Sequence, residues 1–466
     1  MVFSGIPFLY YFLPCVLILY FIVPNFSKNA VLLLSSLIFY GWGEPKYVFL
    51  MLTTISVGYI SGLLIEKFRK KCISKFFMIL STVFFLSILG YFKYSDFFIE
   101  NFNSLTGLSL PLLKIMLPIG ISFYTFQILS YTIDVYRGNV KAQKNPVVLG
   151  TYVALFPQLI AGPIVRYSDI EAQLIKRTHS FEKAYSGICR FVTGFAKKII
   201  LANTLGELCD AFYASNEKSI LFFWVFAFSY MLQIYFDFSG YSDMAIGLGK
   251  IFGFDFMENF KYPFISKSIT EFWRRWHISL GSWFRDYVYI PLGGNRVKKA
   301  RHLLNIFIVW FLTGFWHGAE WNFIIWGLYF GILLTLEKFF LSDFLKKSKI
   351  ISHIYVLFFI AISFVIFSAS NLSGALSYAG GLFGYKNLPV ITNEALYYLK
   401  SYSFIIFVGV VCSTPLLQTV KKYLITKKYF STLIGIFEIP VMIIIMIIAT
   451  AYLADGSFNP FLYFRF

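Results

Sequence analysis

Charge is scarce in this sequence, and what there is leans to one sign. Only 14% of the 466 residues are charged, with 41 Lys and Arg against 23 Asp and Glu. A soluble domain carries about 25% charged residues, so composition excludes an ordinary soluble fold. Cysteine is also scarce. Cys15, Cys72, Cys189, Cys209 and Cys412 stand alone. There is no CxxC and no Cys/His spacing of the zinc type, which excludes a disulfide framework and gives no sign of a metal site. The net charge of +18 is scattered between apolar runs. Nucleic-acid binding is therefore not expected. Cytoplasmic loops of a membrane protein, facing anionic lipid, are expected instead. Histidine is rare as well, with five in all.

What fills the chain is apolar. Hydrophobic residues make up 58%, with 57 Phe and 32 Tyr. This predicts an all-α polytopic membrane protein. At roughly 20 residues per span the length allows around ten to twelve helices, some short or re-entrant. The N-terminal apolar run has no basic flank and no small-residue cleavage site, so it reads as a retained helix. Spans are expected at 7–24, 30–42, 46–64 and 76–92, then an external loop or surface helix over 94–110, then a span over 112–135. The basic cluster from Lys67 to Lys75 marks a cytoplasmic loop and puts the N-terminus outside. Further spans are expected at 219–236, 305–317, 323–340, 351–369, 402–418 and 431–453, with 371–400 as an external loop. Lys346, Lys347, Lys349, Lys421, Lys422, Lys427 and Lys428 mark the inside again, which leaves the C-terminal tail outside. No internal repeat and no hydrophilic domain interrupts this pattern. The chain reads as one membrane domain with N-terminal spans over 1–145, a core over 146–340 and C-terminal spans over 341–466.

The core is irregular. FPQLIAGP within 147–165 carries Pro157, Gly162 and Pro163, which break a regular span. Broken backbone at membrane depth survives only where it is buried in protein or lines a cavity. The most informative stretch runs from Glu271 to Gly318 and holds two of the five histidines, His277 and His317. Wound as a single helix, Glu271–Asp286 gathers Phe272, Trp273, Trp276, Leu280, Trp283 and Phe284 on one arc. Arg274, Arg275 and Arg285 fall on the other side, with His277 at the border. One reading is an interfacial amphipathic helix. The other places Arg274, His277 and Arg285 along a polar path for an anionic or thioester-bearing donor.

His317 closes the apolar run NIFIVWFLTGFWHG. An ionisable group in hydrocarbon is a functional candidate by default. Imidazole titrates near neutrality and can take a proton from a hydroxyl nucleophile. Acyl transfer also needs donors for the developing oxyanion, and Trp316, Asn322 and Tyr241 are candidates. Asp237, beside Tyr241 in YFDFSGYSDMAIGLG, is a further substrate-binding candidate, although pairing of Asp237 and Asp243 with basic residues is the plainer reading. The two histidines are expected at different depths, with different jobs.

Three stretches carry a family resemblance: YFDFSGYSDMAIGLG, ENFKYPFISKSITEFWRRWHISLGSWFRDYVYIPLGGNR and FLTGFWHGAEWNF. They resemble the membrane-bound O-acyltransferase (MBOAT) superfamily, in its bacterial branch of polysaccharide-acetylating membrane subunits. The N-terminal MVFSGIPFLYYFLP and the SFYTFQILSYTIDVYRG stretch are similar to the same branch.

The resemblance implies a ring of about eleven helices around a central tunnel. It implies acyl transfer, usually of acetyl, from a cytoplasmic thioester donor (acetyl-CoA or an acyl carrier protein), with no tightly bound cofactor. An extracytoplasmic SGNH-hydrolase-like partner would complete O-acetylation of an exported polysaccharide at the bacterial inner membrane. It assigns the family's histidine to His317 and a supporting role to His277. The terminal FLYFRF is similar to an F-x-Y-x-x-F motif, which makes Tyr463 a candidate acyl relay. A phenol deprotonated by imidazole is a reasonable nucleophile, and an aromatic interfacial anchor is the alternative. D-alanylation of teichoic acid and a non-enzymatic transporter are the rival functions. The transporter reading lacks the paired broken segments of inverted halves.

Overall fold

The computed structural model describes residues 3–160 and 162–455. The FLYFRF stretch with Tyr463 lies outside these residues. Among the described residues every regular element is helical. Six helices are long and apolar enough to cross a membrane, or seven if the bent pair Asn393–Ser401 and Ser403–Cys412 is one span. The sequence figure of about eleven counts shorter stretches as well, such as Ile121–Arg137 and Lys299–His317, which form helices of 17 and 19 residues. The protein is a multi-pass membrane protein.

The described residues fall into two compact units. One holds those within Met1–Phe191 and Met244–Met257, the other those within Val192–Asp243 and Glu258–Phe466.

In the first unit, Ile121–Arg137 is buried along most of its length, against Val48–Lys67, Cys72–Thr106, Pro146–Ala154 and Tyr167–Ile175. Small residues allow this. A Cβ on Gly62 would lie 2.6 Å from the Tyr131 hydroxyl. The segment expected to break does so: helix Pro146–Ala154 stops at Leu155, whose φ −52° and ψ 108° are not helical, and a new turn Phe156–Leu159 begins with Pro157 at its start. Two expectations fail. Cys72–Thr106 is one continuous helix of 35 residues, so 94–106 extends the span instead of forming a separate loop or surface helix. Its i→i+4 hydrogen bonding continues past the apolar part because no Pro interrupts it and Gly107, at φ 74°, ends it. The stretch 371–400 contains two helices, Leu372–Gly381 and Asn393–Ser401, capped by Asn371 and Thr392 side chains.

The long helix Ile220–Ile251 carries YFDFSGYSDMAIGLG within it. Four glycines explain how closely it is packed. In one unit Gly247 meets Gly187, where a Cβ would lie 2.6 Å from the Gly187 carbonyl oxygen. In the other Gly240 meets Gly194, 2.7 Å by the same measure. Helices inside a bilayer gain by such close backbone approach. At Gly240 this brings two lysines on the π-helical segment Lys197–Ala202 up to the acidic side chains. Lys198 pairs with Asp237 at 2.6 Å, with both side chains only 3% exposed, and Lys197 pairs with Asp243 at 2.7 Å.

Candidate active site

The stretch that pattern alone winds into one amphipathic helix is in fact two helices. Ile269–Arg275 ends at Trp276, and Ile278–Phe284 begins after His277. Between them His277 adopts φ 44° and ψ 53°. A left-handed conformation costs a non-glycine residue roughly 1–2 kcal/mol, and such strain gathers at functional positions. The wheel fails because the helical hydrogen-bond ladder is diverted here. Ile278 N–H donates to the Asn259 carbonyl oxygen and Lys261 N–H to the Arg275 carbonyl oxygen. His277 is thereby turned into the protein and is 1% exposed, not poised at a surface border.

Asn259 wires the ring. Its Oδ1 accepts from the Ser279 backbone N–H at 3.1 Å and from Ser279 Oγ at 2.9 Å, and lies 3.2 Å from His277 Nδ1. A backbone N–H can only donate, so the amide atom it meets is the oxygen. Nδ1 facing that oxygen must carry the proton. Nε2 is then the basic nitrogen, the usual way a second group sets an imidazole's tautomer. Phe238 packs edge-on to the His277 ring at 4.7 Å, and Tyr241, one turn on along the same helix, is also buried.

His317 ends helix Lys299–His317, and Gly318 continues in extended backbone. The following helix, Trp321–Leu336, folds back against it. Gly314 and Gly327 form the seam, where a Cβ on Gly314 would lie 3.1 Å from Gly327 Cα. The imidazole, 6% exposed, sits at 5.0 Å from Trp326 and 5.4 Å from Phe367, both edge-to-face. Trp316 lies near both histidines, 6.2 Å from His277 and 5.0 Å from His317 by ring centroids. The break at His277 and the seam at Gly314 bring both to one indole.

The other sequence candidates are distributed differently. Asn322 is fully buried and donates through Nδ2 to the Ala369 carbonyl oxygen at 2.8 Å. Asp237 is held by Lys198, as described above. Arg285 is 61% exposed and grips its neighbour Asp286 at 2.6 and 3.0 Å. Arg274 lines a cleft of about 850 Å³ in the second unit, together with Lys267, Lys338, Lys346, Lys349 and His302. The cleft's carboxylate, Glu337, caps helix Ile269–Arg275: it accepts from Ile269 N–H, from Thr270 N–H at 3.0 Å and from Thr270 Oγ1 at 2.8 Å. Negative charge at a helix N-terminus is favourable, and this contact seats the helix that leads into His277.

Three indoles separate cleft and histidine. Trp310 lines the cleft, Trp273 packs on Trp310 at 4.7 Å, Trp326 on Trp273 at 5.7 Å, and His317 follows at 5.0 Å. The indole N–H groups of Trp273 and Trp326 are buried with no acceptor among the described residues. Asn259, Ser279, Glu337, Trp273 and Trp326 were not legible as site residues. Asn259 and Glu337 act across long sequence separations, Trp273 reads as part of the apolar face of an interfacial helix, and Trp326 lies unmarked within an apolar span.

Two buried imidazoles lie against one indole, and an amide sets the tautomer of one of them. The chain belongs to the membrane-bound O-acyltransferase family, whose model matches residues 145–378, a range that includes both histidines. It is therefore an acyltransferase. Over 391 residues it is 42% identical to the probable alginate O-acetylase AlgI of Azotobacter vinelandii, covering 83% of this chain and 78% of that protein. It is 35% identical over 433 residues to the peptidoglycan O-acetyltransferase of Helicobacter pylori, covering 84% and 82%. The teichoic acid D-alanyltransferase of Bacillus subtilis is 32% identical over 275 residues, covering 54% and 68%.

Proposed function

We propose that this enzyme passes an acetyl group from a cytoplasmic thioester donor across the bacterial inner membrane, for O-acetylation of an exported cell-surface polysaccharide. The observation that carries the reading is the meeting of His277 and His317 at Trp316. The names of the alginate and peptidoglycan relatives, each matched over more than three quarters of both chains, support acetyl as the group and a polysaccharide as its destination. D-alanyl transfer rests on a match to about half of this chain and has no separate observation in its favour.

In this reading His317 is the general base. It takes the proton of an attacking hydroxyl as the oxygen bonds to the thioester carbonyl carbon, and the carbonyl electron pair moves onto oxygen. The oxyanion then collapses, the C–S bond breaks, and the thiolate takes the proton from the imidazolium. His277, its Nδ1–H directed at Asn259, orients the site. Arg274 and the lysines of its cleft attract the anionic part of the donor. An extracytoplasmic SGNH-hydrolase-like protein receives the acetyl group. Transfer of labelled acetyl from a synthetic thioester to a hydroxyl acceptor by the purified protein tests the reading, and absence of transfer with every thioester tried would remove it.

Two further expectations follow from named donors and acceptors. The Trp326 indole N–H, buried beside His317 with no acceptor among the described residues, is suited to the oxyanion. Trp326→Phe keeps an aromatic ring and deletes the donor. It is expected to lower kcat by about 10²-fold, the usual effect of losing one such donor, with KM for the donor little changed. A loss confined to KM would point to packing instead. Tyr463, if it relays the acetyl group, acts through its hydroxyl alone. Tyr463→Phe should then stop polymer acetylation while donor thioester binding persists, and unchanged acetate in the polymer would exclude the relay.

A further inference from the structure

The first unit holds a group of cations that the acyl-transfer chemistry does not use. Lys28 is the first residue of the 16-residue helix Lys28–Gly43, whose opening turn has no acidic residue and no side-chain cap. Lys28 is 9% exposed. Its ammonium lies over the ring of Tyr20, 5.1 Å from the centroid, and 5.9 Å from that of Phe21. Arg177 approaches the same Tyr20 ring at 5.8 Å and stacks on Phe254 at 4.6 Å, and its NH1 donates to Asn29 Oδ1 at 2.7 Å.

His179 completes the group. The Tyr20 hydroxyl donates to the Phe252 carbonyl oxygen at 2.7 Å, so His179 Nε2–H is the donor in its 3.0 Å contact with that hydroxyl. Lys183, close by, is already neutralised by Asp255 at 2.7 Å. Neither Lys28 nor Arg177 has a carboxylate partner among the described residues, and the charged groups acting on His179 are all cations. Burial, Lys28, Arg177 and Lys183 hold its imidazole below the usual histidine range.

A buried ammonium and a guanidinium sharing one ring, at the positive end of a helix, form an incomplete electrostatic arrangement. Buried charges are ordinarily paired. The 3₁₀ turn Asn25–Ser27 leads into this helix and the Lys28 N–H donates to the Asn25 carbonyl oxygen, so what an incoming anion meets is the two cations, and a phosphate suits them. Around the cluster the surface is apolar: Phe21 is 50% exposed, Ile22 75% and Phe26 87%. A phosphate with acyl chains satisfies both features, its anion on Lys28 and Arg177 and its chains along Phe21, Ile22 and Phe26. The charge distribution of the chain puts this end of the helix on the cytoplasmic side, where anionic lipid is abundant.

We propose that Lys28 and Arg177 form a binding site for the phosphate group of an anionic phospholipid. The site would bind one lipid with its head between the two cations. It would tie the first two helices to the 174–183 and 252–255 segments that also meet at Tyr20, Asn29 and Phe252. The same phosphate chemistry in a free anion is the other source, and the apolar flank favours the lipid.

The test uses the full-length protein in detergent. Phosphatidylglycerol, phosphatidylcholine with identical chains, and inorganic phosphate are added separately, and the thermal unfolding midpoint is followed. Phosphatidylglycerol is expected to raise the midpoint by about 2–4 °C. Phosphatidylcholine should do less than half of this, and inorganic phosphate almost nothing. The increment should vanish in Lys28→Gln/Arg177→Gln and persist in Lys28→Arg. Native mass spectrometry of the same proteins should show a retained phosphatidylglycerol in the wild type and its loss in the double variant. An equal shift with phosphatidylcholine, an equal shift with inorganic phosphate, or an unchanged response and unchanged retained lipid in the double variant would each overturn the assignment.

Discussion

His317→Ala is expected to abolish polymer acetylation, with normal expression and an unfolding midpoint close to that of the wild type. Loss of a positioned acid–base group costs about 10²–10⁴-fold, and in an assay of polymer acetate such a loss reads as none. Stability should survive because the helix seam does not depend on the imidazole. Gly314 and Gly327 hold the two helices together one turn away, and Trp326 and Phe367 pack on each other at 5.2 Å without the histidine. Wild-type acetate in this variant would end the assignment of His317 as base. The companion variant is His277→Asn, because Asn tolerates a left-handed backbone and so removes the imidazole without adding strain. If His277 orients the site, this variant keeps a measurable rate and His317→Ala does not. The reverse order would exchange the two roles.

Asp237→Asn should act on the fold. The Lys198–Asp237 pair spans 2.6 Å with both side chains 3% exposed. Breaking a buried pair by removing one partner typically costs about 3–5 kcal/mol, because an uncompensated charge stays behind, whereas replacing both partners by well-packed apolar residues is often neutral or stabilising by about 1–4 kcal/mol. Asp237→Asn is therefore expected to lower the unfolding midpoint and the yield of folded protein strongly, and the double variant Lys198→Met/Asp237→Leu to recover most of both. A variant with wild-type stability and no acyl transfer would instead put Asp237 on the substrate. The result decides between the two readings of YFDFSGYSDMAIGLG, as part of the site or as the clamp that holds helix Ile220–Ile251 against the lysine-bearing turn.

That motif illustrates how far pattern reaches. Asp237 and Asp243 are six apart and face different ways on a helix, so pattern suggests pairing with basic residues but cannot name the partners. They are both paired because Gly240 lies between them and lets a backbone with two consecutive lysines come close. The Glu271–Asp286 stretch failed for a related reason. Its periodicity is that of a helix, but Asn259, 18 positions before His277, offers hydrogen bonds that compete with the helical ladder and win. Pro157 succeeded as a marker of broken backbone because a missing N–H is a local property.

The sequence by itself determined the membrane class, the helical content, the family and the two histidines worth testing. Each rests on a local property: the length of an apolar run, a basic cluster beside it, or a short motif. Only the tertiary structure decided that His277 and His317 share Trp316, that Asn259 sets an imidazole's tautomer, and that packed indoles run from the Arg274 cleft to His317. These depend on side chains meeting across helices, where glycine seams and a diverted hydrogen-bond ladder set the distances, and such meetings leave no periodic trace in the chain.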